Sequence, residues 1–195
     1  MVELLLQEEQ NLEQFEILTE SENKRPFLRG VLGRANYPNK NKRVYPVDVM
    51  QEAIETVKPR VQKKGFFGEL GHPNSPKVRE EHISHYISKL DLAEDGSLIG
   101  EIKPTSSYYG QMLESYLRDG LSLGVSTRAA GNLRPYRGPL GEGLMEVQPG
   151  LKFFAIDVVV DPSAGTYPDI VTEDVNNVIF GSTKKFREIW DSCFK

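Results

Sequence analysis

The fold is decided by a short apolar stretch with small residues at its centre, Leu121-Ser122-Leu123-Gly124-Val125-Ser126-Thr127-Arg128-Ala129. A second apolar run follows it, Leu151-Lys152-Phe153-Phe154-Ala155-Ile156-Asp157-Val158-Val159-Val160. Runs of this length that are rich in apolar and β-branched residues are typical of buried strands. The two runs therefore predict the centre of a β-rich core.

Strand and helix signals surround these two runs. Further strands are predicted at Phe15–Thr19, Phe27–Gly33 and Phe66–Leu70, and a hairpin pairs Ile83–Leu92 with Leu98–Ile102 across Asp95-Gly96. Apolar residues at three- and four-residue steps predict helices from Val47 to about Pro59, from Tyr109 to Leu117 with Gly120 as its cap, and from Thr183 to Phe194. Because strands dominate, we expect an α+β domain in which a closed or nearly closed β-barrel is flanked by helices.

The charge of the chain is concentrated at its N-terminal end. Residues 1–24 contain seven Glu and one Lys, a net charge of −6, against −4 for all 195 residues. Such a segment has few large apolar residues with which to build a core. We therefore expect residues 1–24 to be a mobile segment or a lone helix. It is either a tail that only aids solubility or a segment that is removable or regulatory, and residues 25–195 form one domain.

The composition excludes several classes of protein. No apolar run approaches the roughly 20 residues that cross a bilayer, and the N-terminal leucines are flanked by Glu rather than by basic residues, so neither a membrane nor export is expected. Lys and Arg are dispersed without an aromatic stripe, which argues against nucleic acid. The single cysteine, Cys193, supports neither a disulfide framework nor a thiolate zinc site and fits a reducing cytoplasm.

Two residues have the context of a nucleophile and its base. His72 follows a short strand in a glycine-flanked turn before Pro73, where a histidine serves as a proton acceptor near neutral pH or as a structural cap of the turn. Ser126 lies in a strand beside Gly124, which permits close approach of a substrate. Serine becomes nucleophilic only when a base takes its proton, so this pair requires the fold to bring the two side chains together.

Three other residues are candidates for supporting roles. Asp157 lies in an apolar strand, where an unpaired charge is costly, and is the preferred partner to orient the histidine. Glu69 is the alternative for that role. Thr127 and Arg128 follow the serine and are candidates for binding the substrate or an oxyanion, although Arg128 is equally consistent with an ordinary surface ion pair.

A family resemblance is carried by four blocks in a fixed order. They are Asn39-Lys40-Asn41-Lys42-Arg43-Val44-Tyr45-Pro46, Gly68-Glu69-Leu70-Gly71-His72-Pro73, Gly124-Val125-Ser126-Thr127-Arg128 and Asp157-Val158-Val159-Val160-Asp161-Pro162-Ser163-Ala164. Together they resemble the landmarks of the T4-type prohead core proteases, from about residue 27 to 165. That family is related in fold to the herpesvirus assemblins, which implies an assemblin-like β-barrel and a catalytic Ser-His pair.

The resemblance implies a serine endopeptidase of capsid maturation, with Ser126 as nucleophile, His72 as base and Asp157 as third member. The assemblins use a second histidine in that third place, and neither His82 nor His85 follows the serine here. The family acts in the infected bacterial cell, inside the prohead, on scaffold or core proteins, the major capsid protein and itself. We expect no cofactor, and we expect the protein to form a homo-oligomer.

The family cleaves after Glu when a small or aliphatic residue lies two places earlier. Leu18-Thr19-Glu20 fits this rule, so self-cleavage after Glu20 would remove the acidic segment. Leu6-Gln7-Glu8 and Val171-Thr172-Glu173 are further candidates. Two other functions stay open. One is a non-catalytic capsid-assembly or scaffold protein with the same fold, and the other is a metal-dependent hydrolase that uses His72, His82, His85 and Glu69 or Glu81.

Overall fold

The computed structural model describes residues 4–11, 15–19, 25–71, 73–159 and 190–194. Its strands are β1 (Leu4–Asn11), β2 (Phe15–Thr19), β3 (Pro26–Arg34), β4 (Arg43–Val44), β5 (Phe67–Glu69), β6 (Ile83–Leu92), β7 (Ser97–Pro104), β8 (Gly124–Gly131), β9 (Leu133–Pro135), β10 (Met145–Val147) and β11 (Lys152–Val159). The α-helices with described bounds are α1 (Val47–Gln62) and α2 (Tyr108–Arg118), and Glu80–His82 form a short 3-10 helix. This is the mixed, strand-rich α and β architecture that the sequence predicts.

The strands form three sheets in the described part of the chain. The largest has the order β2-β3-β7-β6-β5, a second has the order β1-β8-β11, and a small third sheet has the order β4-β10-β9. A parallel bridge between Leu70 and Val158 brings the end of β5 to β11. The pairings among the described strands do not close a barrel, so the closed barrel stays a prediction.

The β6–β7 hairpin of the large sheet and helix α1 both depend on local sequence. The β6–β7 hairpin turns at Gly96, whose φ of 81° is a conformation that favours glycine, and the Asp95 carboxylate accepts a hydrogen bond from the Ser97 amide. Helix α1 begins after Pro46 and buries one apolar face, formed by Val49, Met50, Ala53, Ile54, Val57 and Val61. Both elements were predicted from the sequence, and both depend on residues that are close together in the chain.

The core joins the helices and the sheets into one apolar cluster. Ile54, Phe66, Ile87, Leu113 and Val125 are among its fully buried members. Helix α2 begins at Ser107, whose hydroxyl accepts a hydrogen bond from the Gly110 amide and so satisfies one of the free amides of the first turn. Within the described residues, no helix is both long enough and apolar enough to span a membrane.

Two predicted boundaries differ from the structure. Residues 4–11, expected to be mobile or part of a lone helix, form strand β1 and pair with β8. The prediction was wrong there because the free edge of β8 supplies hydrogen-bond partners that a polar sequence does not reveal. Strand β8 begins at Gly124 rather than Leu121, since the Leu121 amide still donates to the Tyr116 carbonyl at the end of α2. Of the predicted final helix, only 190–194 lie in the described residues, and 190–193 are helical.

Candidate active site

Ser126 lies at the centre of the sheet β1-β8-β11. Its Cα partners are Glu9 on β1 and Asp157 on β11. The serine side chain is completely buried, and among the described residues its Oγ has no hydrogen-bond partner. A buried hydroxyl without a partner has lost its hydrogen bonds to water and has gained none within the protein. Proteins tolerate this cost mainly at functional sites.

The chain approaches position 72 along the other side of β11. The Glu69 amide donates to Asp157 Oδ1 at 2.9 Å, Leu70 bridges to Val158, and the Gly71 amide donates to the Val158 carbonyl at 2.7 Å. His72 itself lies outside the described residues. The residues before it are therefore fixed to the strand that also pairs with the Ser126 strand.

Gly68 makes this approach possible. A Cβ atom on Gly68 would lie 1.9 Å from the Ile156 carbonyl oxygen and 2.2 Å from His85 Nε2, so no side chain fits there. His85 Nε2 donates to that carbonyl at 2.7 Å, across the face of the glycine. The contact ties β6 to β11 over β5, which holds the segment that leads to His72 in place.

His85 is buried and serves this structural contact. Because a carbonyl only accepts hydrogen bonds, the proton of the neutral imidazole is on Nε2, and Nδ1 accepts from the Ser84 hydroxyl at 2.8 Å. Burial lowers the pKa of His85 to about 4, which keeps the ring neutral. Ser84 and His85 therefore form a serine-histidine contact that the sequence analysis missed, but both side chains are fully buried in the sheet.

Arg128 is the largest fully buried side chain of the described residues. Its Nη2 donates to Glu69 Oε1 at 3.1 Å and to Asp157 Oδ1 at 3.0 Å. Its Nη1 donates to the carbonyl oxygens of Ser75 at 2.7 Å and Lys77 at 3.1 Å. The guanidinium thus connects β5 and β11 to the loop that follows position 72.

Glu69 completes this network from the other side. Its carboxylate is fully buried and accepts hydrogen bonds from the Arg79 amide at 3.0 Å and the Arg79 Nε at 2.7 Å, in addition to the bond from Arg128. From the sequence, Glu69 was a candidate to orient the histidine or to bind a metal, and Arg79 had no predicted role. Both side chains anchor the two ends of the loop around position 72.

Asp157 is the most perturbed carboxyl of the network. Burial raises its pKa to about 6, although the Arg128 charge and the Glu69 amide oppose this shift. Oδ1 accepts two hydrogen bonds, whereas Oδ2 lies 2.6 Å from Arg128 Nε in an ion pair whose N–H does not point at the oxygen. Oδ2 is therefore a buried acceptor that still has bonding capacity.

The other predicted residues are distributed as follows. Thr127 lies next to Ser126 but faces the opposite side of β8, where it lines a small cavity with Leu32, Tyr45, Met50 and Phe153. Arg128 has no exposed surface and uses both terminal nitrogens within the network, which favours a positioning role over an oxyanion role. Glu20 lies outside the described residues.

The candidate metal ligands that lie in the described residues do not form a cluster. His82 stacks on Tyr109 with ring centroids 4.5 Å apart, His85 is buried against Ile156, and Glu69 is paired with two arginines. Among the described residues, no group of three or more His, Cys, Asp and Glu side chains is placed to hold a metal ion.

Comparison with known proteins adds independent findings. Residues 19–176 match the model of the family described as prohead core protein serine protease. The chain is 29% identical over 143 residues to the prohead core protein protease of Enterobacteria phage T4, a match that covers 71% of this chain. The chain spans 65% of the length of that curated relative.

A solved structure supports the architecture. The structure of the bacteriophage T4 capsid assembly protease, gp21, superposes with a TM-score of 0.72 at 24% identity and covers 82% of this chain and 99% of that chain. A likeness of this kind shows that the two chains share a fold.

Proposed function

The chain belongs to the prohead core protein serine protease family, and we propose that it is a capsid-maturation serine endopeptidase in which Ser126 is the nucleophile and His72 the general base. In this role the histidine takes the serine proton as the hydroxyl oxygen attacks the peptide carbonyl, and then gives the proton to the leaving amine. The observation that carries the proposal is the buried Ser126 hydroxyl, which has no hydrogen-bond partner among the described residues and lies opposite Asp157.

The order of the strands supports the pairing of Ser126 with His72. Ser126 on β8 is opposite Asp157 on β11, and the Gly71 amide is bonded to the next residue of β11, Val158. Two strand spacings therefore separate the Ser126 backbone from the segment that leads to His72, or roughly 10 Å. A serine and a histidine side chain that point toward each other span such a distance.

Asp157 supports the proposal through Oδ2, which is ion-paired with Arg128 but accepts no hydrogen bond among the described residues. We propose that Oδ2 accepts the N–H of the His72 ring and so orients the imidazole and stabilises its protonated form. Arg128 then acts as a positioning residue, because it holds both Asp157 and the loop at Ser75 and Lys77. The oxyanion would be bound by backbone amides near Ser126 and Thr127.

The substrates are proposed from the family. We infer that the enzyme acts inside the prohead in an infected bacterial host, on core or scaffold proteins, on the major capsid protein and on itself, with cleavage after Glu, including Glu20. A homo-oligomer is proposed as well. We also propose an assemblin-like barrel. The Leu70–Val158 bridge, which joins the large sheet to the Ser126 sheet, supports this proposal.

The test is intact-mass spectrometry over time on the purified protein, alone and with its co-expressed scaffold protein. The unmodified chain is expected to shorten itself or the scaffold, whereas Ser126→Ala and His72→Ala leave both intact. Unfolding by urea supplies the control: because Ser126 Oγ has no described partner, Ser126→Ala is expected to keep at least the parent stability. Shortening that continues in both variants would remove the Ser-His assignment, and intact chains in all three samples would favour the non-catalytic assembly protein.

A further inference from the structure

The Ser126 strand has its second edge covered by the N-terminal end of the chain. Strand β1 runs antiparallel to β8 over its whole length, from Leu4 opposite Gly131 to Asn11 opposite Gly124, and places Glu9 opposite Ser126. In the order β1-β8-β11, β1 is an edge strand with a single neighbour among the described strands. Its removal would break one ladder of hydrogen bonds and expose the backbone of β8.

One side chain anchors β1 in the core. Leu6 is fully buried, lies opposite Ala129 and belongs to the main apolar cluster. Its Cδ1 lies 3.6 Å from the point where a Cβ on Gly131 would stand, and Leu151 and Val147 converge on the same point. The absence of a side chain at Gly131 thus leaves space on β8 that Leu151, Val147 and Leu6 share, and we call the part between Leu151 and Val147 that receives Leu6 of β1 the Leu6 socket.

The covered state is incompatible with attack on a separate substrate. A peptide that adds to β8 needs the backbone edge that β1 occupies, and Ser126 on that strand has no exposed surface. The edge strand is the part of its surroundings that can leave with the least disturbance, because it has one neighbour and one described anchor.

We propose that the edge of β8 from Gly124 to Gly131 is a docking site for an extended peptide, that the Leu6 socket is its aliphatic subsite, and that β1 occupies the site as an intramolecular competitor. An exposed strand edge binds a peptide through its backbone groups, and a side-chain pocket supplies the selectivity. The peptide adds to β8 in the antiparallel register of β1, with an aliphatic residue opposite Ala129. This inference rests on the proposed function, since it takes Ser126 to be the nucleophile.

The first test measures binding without catalysis. Full-length protein carrying Ser126→Ala is titrated against a fluorescein-labelled peptide with the sequence of residues 1–14, and fluorescence anisotropy is recorded. Leu6→Asp places a charge in the apolar socket and should release β1, so the peptide is expected to bind this variant at least tenfold more tightly than the Ser126→Ala parent. A peptide with Asp in place of its own Leu6 is expected to show no binding.

The matched control is Leu140→Asp, the same change at a leucine that is 40% exposed and lies outside β1. It is expected to bind the peptide as weakly as the parent. Equal binding by all three proteins, or no binding by the Leu6→Asp variant, would overturn the proposal.

A second variant introduces no charge into the core and instead fixes β1 in place. Cα atoms of paired antiparallel residues lie about 4.5 to 5.5 Å apart, which is within the range of a disulfide, so Leu6→Cys with Ala129→Cys should lock the strand when Cys193→Ser is also present. With Ser126 intact, the oxidised protein is expected to cleave scaffold at least tenfold more slowly than the same protein after reduction. Equal rates in the two states would refute the docking site.

The two sets of measurements separate this inference from the proposed function. If Ser126 is not the nucleophile, cleavage will not depend on it, but the difference in peptide binding will persist. If β1 is only a structural strand, cleavage will still depend on Ser126, and neither Leu6→Asp nor the disulfide will change binding or rate.

Discussion

Replacement of Arg128 by methionine tests whether the buried guanidinium holds the candidate site together. The change leaves two fully buried carboxylates, Glu69 and Asp157, without their shared cation, and it removes the donors to the Ser75 and Lys77 carbonyls. Removal of one member of a buried ion pair typically costs about 3 to 5 kcal/mol, because the remaining charge stays desolvated. For a chain of this size that corresponds to a fall in Tm of roughly 6 to 20 °C.

The assay is urea unfolding at pH 7, followed by the fluorescence of Trp190, the single tryptophan of the chain. The matched control is Arg118→Met, which breaks an exposed ion pair with Glu114 and should cost no more than about 1 kcal/mol. Addition of Asp157→Asn to Arg128→Met should restore part of the lost stability, since it removes one of the unpaired charges. Equal costs for Arg128→Met and Arg118→Met would refute this account of the network.

The Arg128→Met variant should also respond to pH in a defined direction. Without the guanidinium, the charge that opposes desolvation of Asp157 is lost, so the pKa of this carboxyl should rise above the value of about 6 that burial gives it in the parent. An acid with a raised pKa gains stability as the pH falls. The difference in unfolding free energy between parent and variant should therefore be smaller at pH 5 than at pH 7.

Two further predictions concern the same region. Gly68→Ala should cost about 2 to 4 kcal/mol of unfolding free energy, because a Cβ there overlaps the Ile156 carbonyl and His85. The control is Gly33→Ala, whose Cβ would meet only ordinary contacts and which should cost under about 1 kcal/mol. Equal losses in the two variants would contradict the overlap. Burial raises the pKa of Asp157 from 3.8 to about 6, so rising pH across that range removes roughly 3 kcal/mol of stability. Burial lowers the pKa of His85 from 6.5 to about 4, so rising pH across that range adds roughly 3 kcal/mol of stability. In urea unfolding from pH 4 to 6.5, Asp157→Asn should therefore gain stability relative to the parent as pH rises, and His85→Asn should lose it; parallel curves would refute the pKa assignments.

Local signals made much of the fold predictable. Turn residues at Asp95-Gly96 fixed the β6–β7 hairpin, and apolar spacing after Pro46 fixed α1, because both depend on contacts within a few residues. The same holds for the identity of the candidate residues. Ser126 and Asp157 were chosen from their apolar surroundings, and the structure places them opposite each other on neighbouring strands.

Non-local contacts decided what the sequence left open. The residues themselves allowed Arg128 to be a surface ion pair or an oxyanion ligand, and only the structure shows it fully buried between Glu69, Asp157 and the loop at Ser75. Its environment depends on partners 29, 53 and 59 positions away in the chain, which no local pattern specifies.

Strand β1 shows the same division most clearly. The sequence shows only that this segment is rich in Glu and contains a few leucines. A segment of that composition has little preference for any one structure. The tertiary structure decided that it is a strand, because the edge of β8 offers unpaired backbone groups and Gly131 leaves room for Leu6. Helices and hairpins obtain their hydrogen bonds from nearby residues, whereas an edge strand obtains them from a distant one, and that partner exists only once the chain has folded.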